Sequence, residues 1–353
     1  MLERMIKDFS PRITSELVTL AYPYKHVDQT SLRNKVIDRF LPRTTSGRGL
    51  AETVSSFEPD IIYSDSPLYA GQVHISSLLT RKRIPLILHL RGDWWQEYRD
   101  WFLSANWGKR LLSIQGFAFQ SSGTLLASKI TPICKWLERI VKHHTLNKRT
   151  EVVYQGVDPA LFYPEHGLNF RRPAVVIIQN HTVYRKVLGL LNFQKVISKL
   201  PAVNFYIAEG EEANQSFLPL IREQLDRFTN VHFVSGINSV EAVRRMLTAA
   251  DCYVLASGLD CCPTTVLEAS LMNKPVIASR IGGVPEIVLE NRTGWTIRND
   301  DVETWVEKIQ LAVSDSRLGG NLGRKGRDWV AQKFGWATIA KQVEEILVSE
   351  TPQ

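Results

Sequence analysis

The chain alternates short apolar runs with longer amphipathic stretches along its whole length. The apolar runs are bounded by Pro, Gly or polar residues, which is typical of buried strands. We predict strands over residues 16–22, 59–65, 85–90, 123–128, 151–154, 174–180, 204–210, 231–236, 252–257 and 275–279. Helical periodicity lies between them, as in 240–250 and 302–313. Strands that alternate with helices predict an α/β protein with parallel sheets covered on both faces.

The length of 353 residues favours two domains over one large core. The predicted strands form two groups, one ending near residue 130 and one starting near 151, and the polar segment 143–150 is a predicted hinge. We therefore expect a first domain over 1–148, a second over 149–334, and a terminal helix within 335–353 that returns to the first domain. Ligands bind at the carboxyl ends of strands in open α/β sheets, so the site is expected in a cleft between the domains.

Composition narrows the class of protein. Hydrophobic residues make up 44% and charged residues 22%, which is ordinary for a soluble globular protein. The charged start of the chain (1–12) has no signal-peptide apolar block, and no apolar run could span a bilayer, so a cytoplasmic location is predicted. No nucleic-acid-binding motif is present, and the four cysteines lack the spacing of zinc ligands. The adjacent Cys261 and Cys262 are interpreted as thiols.

The net charge of +7 is unevenly distributed. Residues 1–150 contain 22 Lys and Arg against 13 Asp and Glu, whereas the remainder contains 21 against 23. A basic first half suits an anionic partner such as an acidic lipid or an anionic glycan, and scattered solvated charge is the alternative.

The stretch GLDCCPTTVLEAS (258–270) carries two acids, Asp260 and Glu268. It lies between a predicted strand and a helix, with Thr264 and Thr265 at the turn. The first N–H groups of a helix attract anions, so phosphate is a natural ligand here. The alternative is structural: Thr265 and Glu268 have capping-box spacing, and Asp260 could stabilise its own turn.

Two further stretches follow predicted strands of the second half. Gly282 and Gly283 allow close backbone approach, and Glu286 opens the next helix; a plain tight turn is the alternative. His181, Arg185 and Lys186 follow the strand 174–180 and suit a diphosphate, with solvated cations as the alternative.

In the first half, Arg91 and Asp93 follow the strand 85–90, with Trp94 and Trp95 behind them. Aromatic rings beside charged groups at a strand end suit sugar binding. Packing of the tryptophans against the next helix explains them equally well.

Together these stretches resemble the family 4 retaining glycosyltransferases, which have the GT-B fold of two Rossmann-like domains facing each other across a cleft. The resemblance is carried by residues 154–165, 230–239, 250–270, 274–288, 291–297 and 333–347, and more loosely by 57–71 and 84–93.

The resemblance implies a role for each motif. Glu268 matches the acid that binds the ribose of a nucleotide sugar, and Asp260 replaces a glutamate that contacts the donor sugar. Lys186 matches the lysine that clamps the diphosphate. His181 stands at the place of an arginine, for which Arg185 is a possible substitute.

The remaining implied roles concern the loops. Thr264, Thr265, Gly282 and Gly283 would surround the diphosphate, and Glu286 would help Asp260 to orient the donor sugar. Arg91 stands where the family often has a histidine near the reacting centre, with Asp93 close by.

The predicted function is retaining, metal-independent transfer of a hexosyl group from a UDP- or GDP-sugar to a glycan or lipid-linked saccharide. No cofactor is expected, and the basic first half would contact the inner face of an anionic membrane. The alternatives are an inactive nucleotide-sugar-binding remnant and a GT-B-like nucleotide-sugar epimerase.

The start of the chain departs from the pattern of the family that it resembles. Residues 1–12 resemble the first helix of the family and 16–22 its second strand, so the first strand and its Gly-rich loop are expected to be absent. Either translation starts further upstream, or the first domain closes differently.

Overall fold

The computed structural model describes residues 16–17, 35–37, 59–65, 67, 70–71, 84–104, 106–209 and 217–351. The chain divides into two units. Unit 1 comprises the residues up to Tyr154 together with those from Ala337, and unit 2 runs from Gln155 to Trp336.

Unit 1 contains a parallel sheet whose described strands follow one another in chain order, β1-β2-β3-β4-β5. These are β1 (Glu16–Leu17), β2 (Lys35–Ile37), β3 (Ile61–Ser64), β4 (Leu86–Leu90) and β5 (Lys129–Pro132). The described helices between them are α1 (Trp94–Ser104), α2 (Trp107–Leu126) and α3 (Lys135–His144). The middle of this strand order is β3, which is buried along its whole length. The predicted first helix over 1–12 lies outside the described residues.

Two strand predictions fail or change in unit 1, and one strand, β2, was not predicted. The predicted strand 123–128 is wrong: these residues lie at and just beyond the end of α2, and β5 follows one residue later. A short apolar run has the same pattern in a buried helix end as in a strand. Residues 151–154 are extended along β5, to which Glu151 and Val153 donate backbone hydrogen bonds, but they form no regular strand. The three residues of β2 were too few for any pattern to indicate a strand.

Unit 2 contains a six-stranded parallel sheet in the order β11-β10-β9-β6-β7-β8. Its strands are β6 (Ala174–Ile177), β7 (Asn204–Ala208), β8 (Val231–Val234), β9 (Cys252–Leu255), β10 (Val276–Ser279) and β11 (Gly294–Ile297). β11 was not predicted, because GWTI contains a glycine and a threonine and is not a continuous apolar run. The strand order reverses between β6 and β9, which is the topological switch point where ligands bind in such sheets.

The helices of unit 2 lie between these strands and, for the last two, after β11. They are α4 (Tyr184–Lys199), α5 (Leu218–Leu225), α6 (Val240–Ala249), α7 (Thr264–Leu271), α8 (Val284–Ile287), α9 (Val302–Ser314) and α10 (Ser316–Phe334). The last helix, α11 (Trp336–Glu350), belongs to unit 1 from Ala337 onward. The core lies between the sheet and its helices, where Val175, Phe205 and Val254 of the strands pack with Phe193 and Trp305.

Candidate functional site

The carboxyl ends of β6, β9 and β10 bring three loops into close backbone contact in unit 2. A Cβ added to Gly258 would lie 2.2 Å from the carbonyl oxygen of Arg185, which opens α4. A Cβ on Gly282 would lie 1.8 Å from the carbonyl oxygen of Asp260, and Gly282 has a positive φ of 48°. Only glycine fits these two positions without movement of the neighbouring loop. The loops that carry the predicted site residues are therefore adjacent.

Lys186 and Asp260 meet at this point. Lys186 Nζ lies 3.0 Å from Asp260 Oδ2, and both side chains are largely buried. The other carboxylate oxygen of Asp260 accepts a hydrogen bond from the backbone N–H of Cys261 at 3.1 Å. The structure thus joins two site residues that lie 74 positions apart. Arg185 lies beside Lys186 in the first turn of α4 and is half-buried.

Helices α4 and α7 both start without a side-chain cap. Their N-cap residues are Val183 and Pro263, and neither contributes a side-chain hydrogen bond. Uncapped helix starts leave backbone donors and the positive end of the helix dipole available to an anion. Thr264, at the start of α7, is exposed.

Glu268 is not a capping residue, so the capping-box alternative is wrong. Helix α7 begins at Thr264, which places Thr265 inside the helix rather than at its N-cap. The Thr265 hydroxyl instead bonds the hydroxyl of Tyr253 at 2.7 Å, and Tyr253 donates to the carbonyl oxygen of Ile178 at 2.8 Å. This chain of bonds ties the end of β6 to the start of α7.

The Glu268 carboxyl is half-buried, and burial raises its pKa to about 7. Within the described part of the chain, no group donates a hydrogen bond to this carboxylate. A ligand that donates hydroxyl hydrogen bonds would stabilise the ionised form of a carboxylate in such surroundings.

The remaining predicted loop residues of unit 2 lie after β10. The backbone N–H of Gly283 donates to the Asp260 carbonyl oxygen at 3.4 Å. Glu286 lies in the one-turn helix α8 and is half-buried. Gly282 and Gly283 pack closely on the Asp260 loop. This packing fixes the backbone that leads to Glu286 against the loop of Asp260.

His181 is buried at the carboxyl end of β6, and burial lowers its pKa to about 4 while Glu209 opposes that shift. Its Nε2 atom has no hydrogen-bond partner among the described residues. Two polar neighbours were not predicted from the sequence. Gln179 has both amide atoms buried, with no partner in the described ranges, and the buried Glu209 pairs with Arg222 and accepts from the Ser235 hydroxyl. A polar residue at the end of an apolar strand was the only available signal for Gln179.

In unit 1, Arg91 and Asp93 follow β4 as predicted. Arg91 is half-exposed, and its guanidinium lies 3.9 Å from the Asp65 carboxylate. Asp93 is buried, and its Oδ1 accepts the backbone N–H of Gln96 at 3.1 Å, which caps α1. His89 bonds Thr131 through Nδ1 at 3.2 Å, and burial together with Arg91 lowers its pKa to about 3.

The tryptophans behind Arg91 take part in aromatic packing. Trp94 stacks on Trp95 with ring centroids 4.5 Å apart and contacts Phe117, while Trp95 stacks on His144. Trp94 is buried, in line with the packing alternative.

Three features elsewhere bear on other kinds of site. The four cysteines, including Cys261 and Cys262, are buried thiols. The described ranges contain no cluster of three or more His, Cys, Asp or Glu arranged to hold a metal ion. They also contain no helix that is both long and apolar enough to cross a bilayer.

Residues 173–329 match the family of glycosyl transferases group 1. The match covers a little less than half of the chain and lies within unit 2, and the fold of the chain is GT-B. The sucrose-phosphate synthase of Thermosynechococcus elongatus aligns with a TM-score of 0.72 and 17% identity over 90% of this chain and 88% of its own. Anabaena HepE in complex with UDP aligns with a TM-score of 0.70 and 17% identity over 89% and 92%.

Curated relatives are similar in sequence mainly over part of the chain. The alpha-maltose-1-phosphate synthase of Mycolicibacterium smegmatis is 26% identical over 56% of this chain and 56% of its own length. The chain thus spans little more than half the length of this relative. The uncharacterized glycosyltransferase MJ1178 of Methanocaldococcus jannaschii is 23% identical over 92% of this chain and 87% of its own.

Proposed function

We propose that this protein is a retaining, metal-independent glycosyltransferase that moves a hexosyl group from a UDP- or GDP-sugar to a glycan or lipid-linked saccharide. The observation that carries the proposal is the Lys186–Asp260 pair at the switch point of unit 2, with Glu268 on the helix that follows. The names of the relatives and the UDP complex of HepE support a nucleotide-sugar donor.

The donor diphosphate is assigned to the first turns of α4 and α7. Lys186 and Arg185 provide positive charge at the start of α4, and Thr264 and Thr265 lie at the start of α7. Preorganised donors and cations stabilise the charge that develops on a departing diphosphate. Because these groups supply the countercharge, we propose that no metal ion is required.

The donor nucleoside and sugar are assigned to the carboxylates. Glu268 accepts hydrogen bonds from the ribose hydroxyls, for which it has no competing donor in the described structure. Asp260 and Glu286 orient the donor sugar, while Gly282 and Gly283 allow the backbone to approach the diphosphate. In the ligand-free protein Asp260 holds Lys186, so diphosphate binding draws Lys186 away and releases the Asp260 carboxylate to the sugar.

Arg91 and Asp93 are assigned to the reacting centre. The Asp93 carboxylate has one oxygen in the helix cap, which leaves the other for a substrate. Retention of the anomeric configuration is proposed on the resemblance to family 4. The acceptor is placed at the cytoplasmic face of an anionic membrane, because the first half of the chain is basic.

Calorimetric titration with UDP, GDP, UDP-glucose and GDP-mannose, in EDTA and again with Mg²⁺, tests the proposal. We expect saturable binding of one nucleotide class with equal affinity in both buffers. Release of free nucleotide only when an acceptor is added then identifies a transferase. Binding without turnover on any acceptor would favour the inactive remnant, and binding that requires Mg²⁺ would contradict metal independence.

A further inference from the structure

Buried polar side-chain atoms without partners lie just beyond the carboxyl end of β6. Both amide atoms of Gln179 and Nε2 of His181 are inaccessible to solvent, and no described residue makes a hydrogen bond to them. Buried polar groups in folded proteins are nearly always paired, and an orphaned group destabilises the structure. Two such side chains within three residues, beside the switch point, indicate a polar binding site.

The surrounding residues bury His181 and bond its backbone, but none of those described bonds its Nε2 atom. The residue is 1% exposed, and its carbonyl oxygen accepts the backbone N–H of Phe217 at 3.0 Å. The carboxylate of Glu209 acts on its charge and is itself engaged by Arg222 and the Ser235 hydroxyl. Burial keeps the imidazole neutral at physiological pH, so it offers a hydrogen bond and no charge.

The chemistry of the two side chains defines the ligand. An amide presents donors and an acceptor, and a neutral imidazole presents one of each. A phosphate offers acceptors alone at neutral pH, so it would leave the Gln179 oxygen unpaired. A hydroxyl group or the amide-like edge of a nucleobase both donates and accepts, and it satisfies the whole set.

We propose that Gln179 and His181 form an uncharged subsite that binds hydroxyl or nucleobase groups of the donor nucleotide sugar, separately from the cationic site at Lys186. The proposal rests on the donor binding described above and adds residues that determine which donor is bound.

Substitution by apolar residues of similar size tests the subsite. In Gln179→Leu and His181→Phe, the orphaned atoms disappear, so the Tm of the ligand-free protein should stay the same or rise. The affinity for UDP-glucose should fall on the order of tenfold, since hydrogen bonds to the ligand are lost. A purely structural role would instead lower the Tm.

Matched controls are available in the same unit. Asn230 donates to the carbonyl oxygens of Leu200 and Val203 at 3.0 and 2.8 Å, and His232 Nε2 lies 3.2 Å from Asn204 Oδ1. Asn230→Leu and His232→Phe therefore remove satisfied groups near the amino end of β8. They should lower the Tm and leave the affinity unchanged.

A comparison of UDP with UDP-glucose shows whether the nucleoside or the sugar makes the hydrogen bonds to the subsite. If UDP and UDP-glucose weaken equally, the subsite binds the nucleoside; if UDP-glucose alone weakens, it binds the sugar. GDP and GDP-mannose replace them if the wild type prefers guanine. Wild-type affinity in both variants, or a Tm loss like that of the controls, would overturn the subsite alone. Failure of the wild type to bind any of the four would overturn the donor proposal as well.

Discussion

Lys186 Nζ and Asp260 Oδ2 lie 3.0 Å apart, and this pair joins the first turn of α4 to the loop after β9. The cation assigned to the diphosphate is thus paired with the acid assigned to the sugar. A bound diphosphate and the Asp260 carboxylate are both anions. They therefore compete for the positive charge of Lys186.

Asp260→Asn should therefore strengthen the binding of UDP, which lacks the sugar, by several-fold. The change removes a negative charge beside the diphosphate and frees Lys186, while the Asn side chain still accepts from the Cys261 N–H. Turnover should fall at least tenfold, because the amide cannot replace the carboxylate at the sugar. Calorimetry and acceptor-dependent nucleotide release measure the two effects.

The exposed pair of Lys199 and Glu303 is the matched control, and Glu303→Gln should change neither quantity. Lys186→Ala should weaken UDP binding, and adding Asp260→Asn to it should restore part of the loss. Equal UDP affinity in wild type and Asp260→Asn would separate this pair from the diphosphate site.

Stability should depend on pH through Glu268. Burial raises its pKa in the folded protein to about 7, well above its ordinary value near 4.5. As pH rises from about 4.5 to 7, the unfolded chain loses this proton first, so the folded state is progressively destabilised. Glu268→Gln removes the effect and should be more stable than the wild type by about 2 kcal/mol at pH 8, with little difference at pH 4.5. Urea unfolding at both pH values checks this, and a constant difference would refute it.

Donor binding should show the opposite pH trend. A carboxylate that accepts ribose hydroxyls binds best when ionised, so the affinity for UDP-glucose should rise about fivefold to tenfold between pH 6 and 8. UDP-glucose avoids the terminal phosphate of UDP, which titrates near pH 6. In Glu268→Gln the affinity should be lower at pH 8 and nearly independent of pH. The same pH profile in both proteins would assign the titration to another group.

Much of the site follows from sequence because it depends on strand order. Asp260 follows β9 and Lys186 follows β6, and the carboxyl ends of neighbouring parallel strands meet at one edge of the sheet. Both strands could be recognised in the sequence because each is a run of four buried residues. The fold class therefore needed only the alternation of strands and helices.

Other features were not predicted from the sequence, because they depend on tertiary burial. The run 123–128 continues α2 because its neighbours extend the helix, which the run itself cannot show. The N-cap of α7 is Pro263, two positions earlier than the Thr265 cap of the capping-box alternative, and the Thr265 hydroxyl bonds Tyr253 instead. The orphaned atoms of Gln179 are defined by what surrounds them, and no local pattern encodes that.

Comparing Gly282→Ala with Gly236→Ala should separate the steric cost of an added Cβ from the cost of a left-handed backbone. Both Gly282 and Gly236 have positive φ, at 48° and 76°, but only Gly282 faces a backbone atom where a Cβ would stand. Gly236→Ala should cost about 1 kcal/mol of stability from the left-handed backbone alone. Gly282→Ala should cost about 2–4 kcal/mol and weaken UDP-glucose binding, because the Asp260 loop must move. Equal losses of stability in urea would contradict the close packing.

Asp93 offers a test that separates capping from chemistry. Its Oδ1 accepts the Gln96 N–H at the start of α1, so Asp93→Ala should lower stability by about 1 kcal/mol. Asn is an equally good cap, so Asp93→Asn should keep the wild-type Tm. If the free carboxylate oxygen serves the reacting centre, Asp93→Asn should still reduce acceptor-dependent nucleotide release at least tenfold, with donor affinity unchanged. Full turnover in Asp93→Asn, alongside a destabilised Asp93→Ala, would restrict Asp93 to the helix cap and leave Arg91 as the candidate residue after β4.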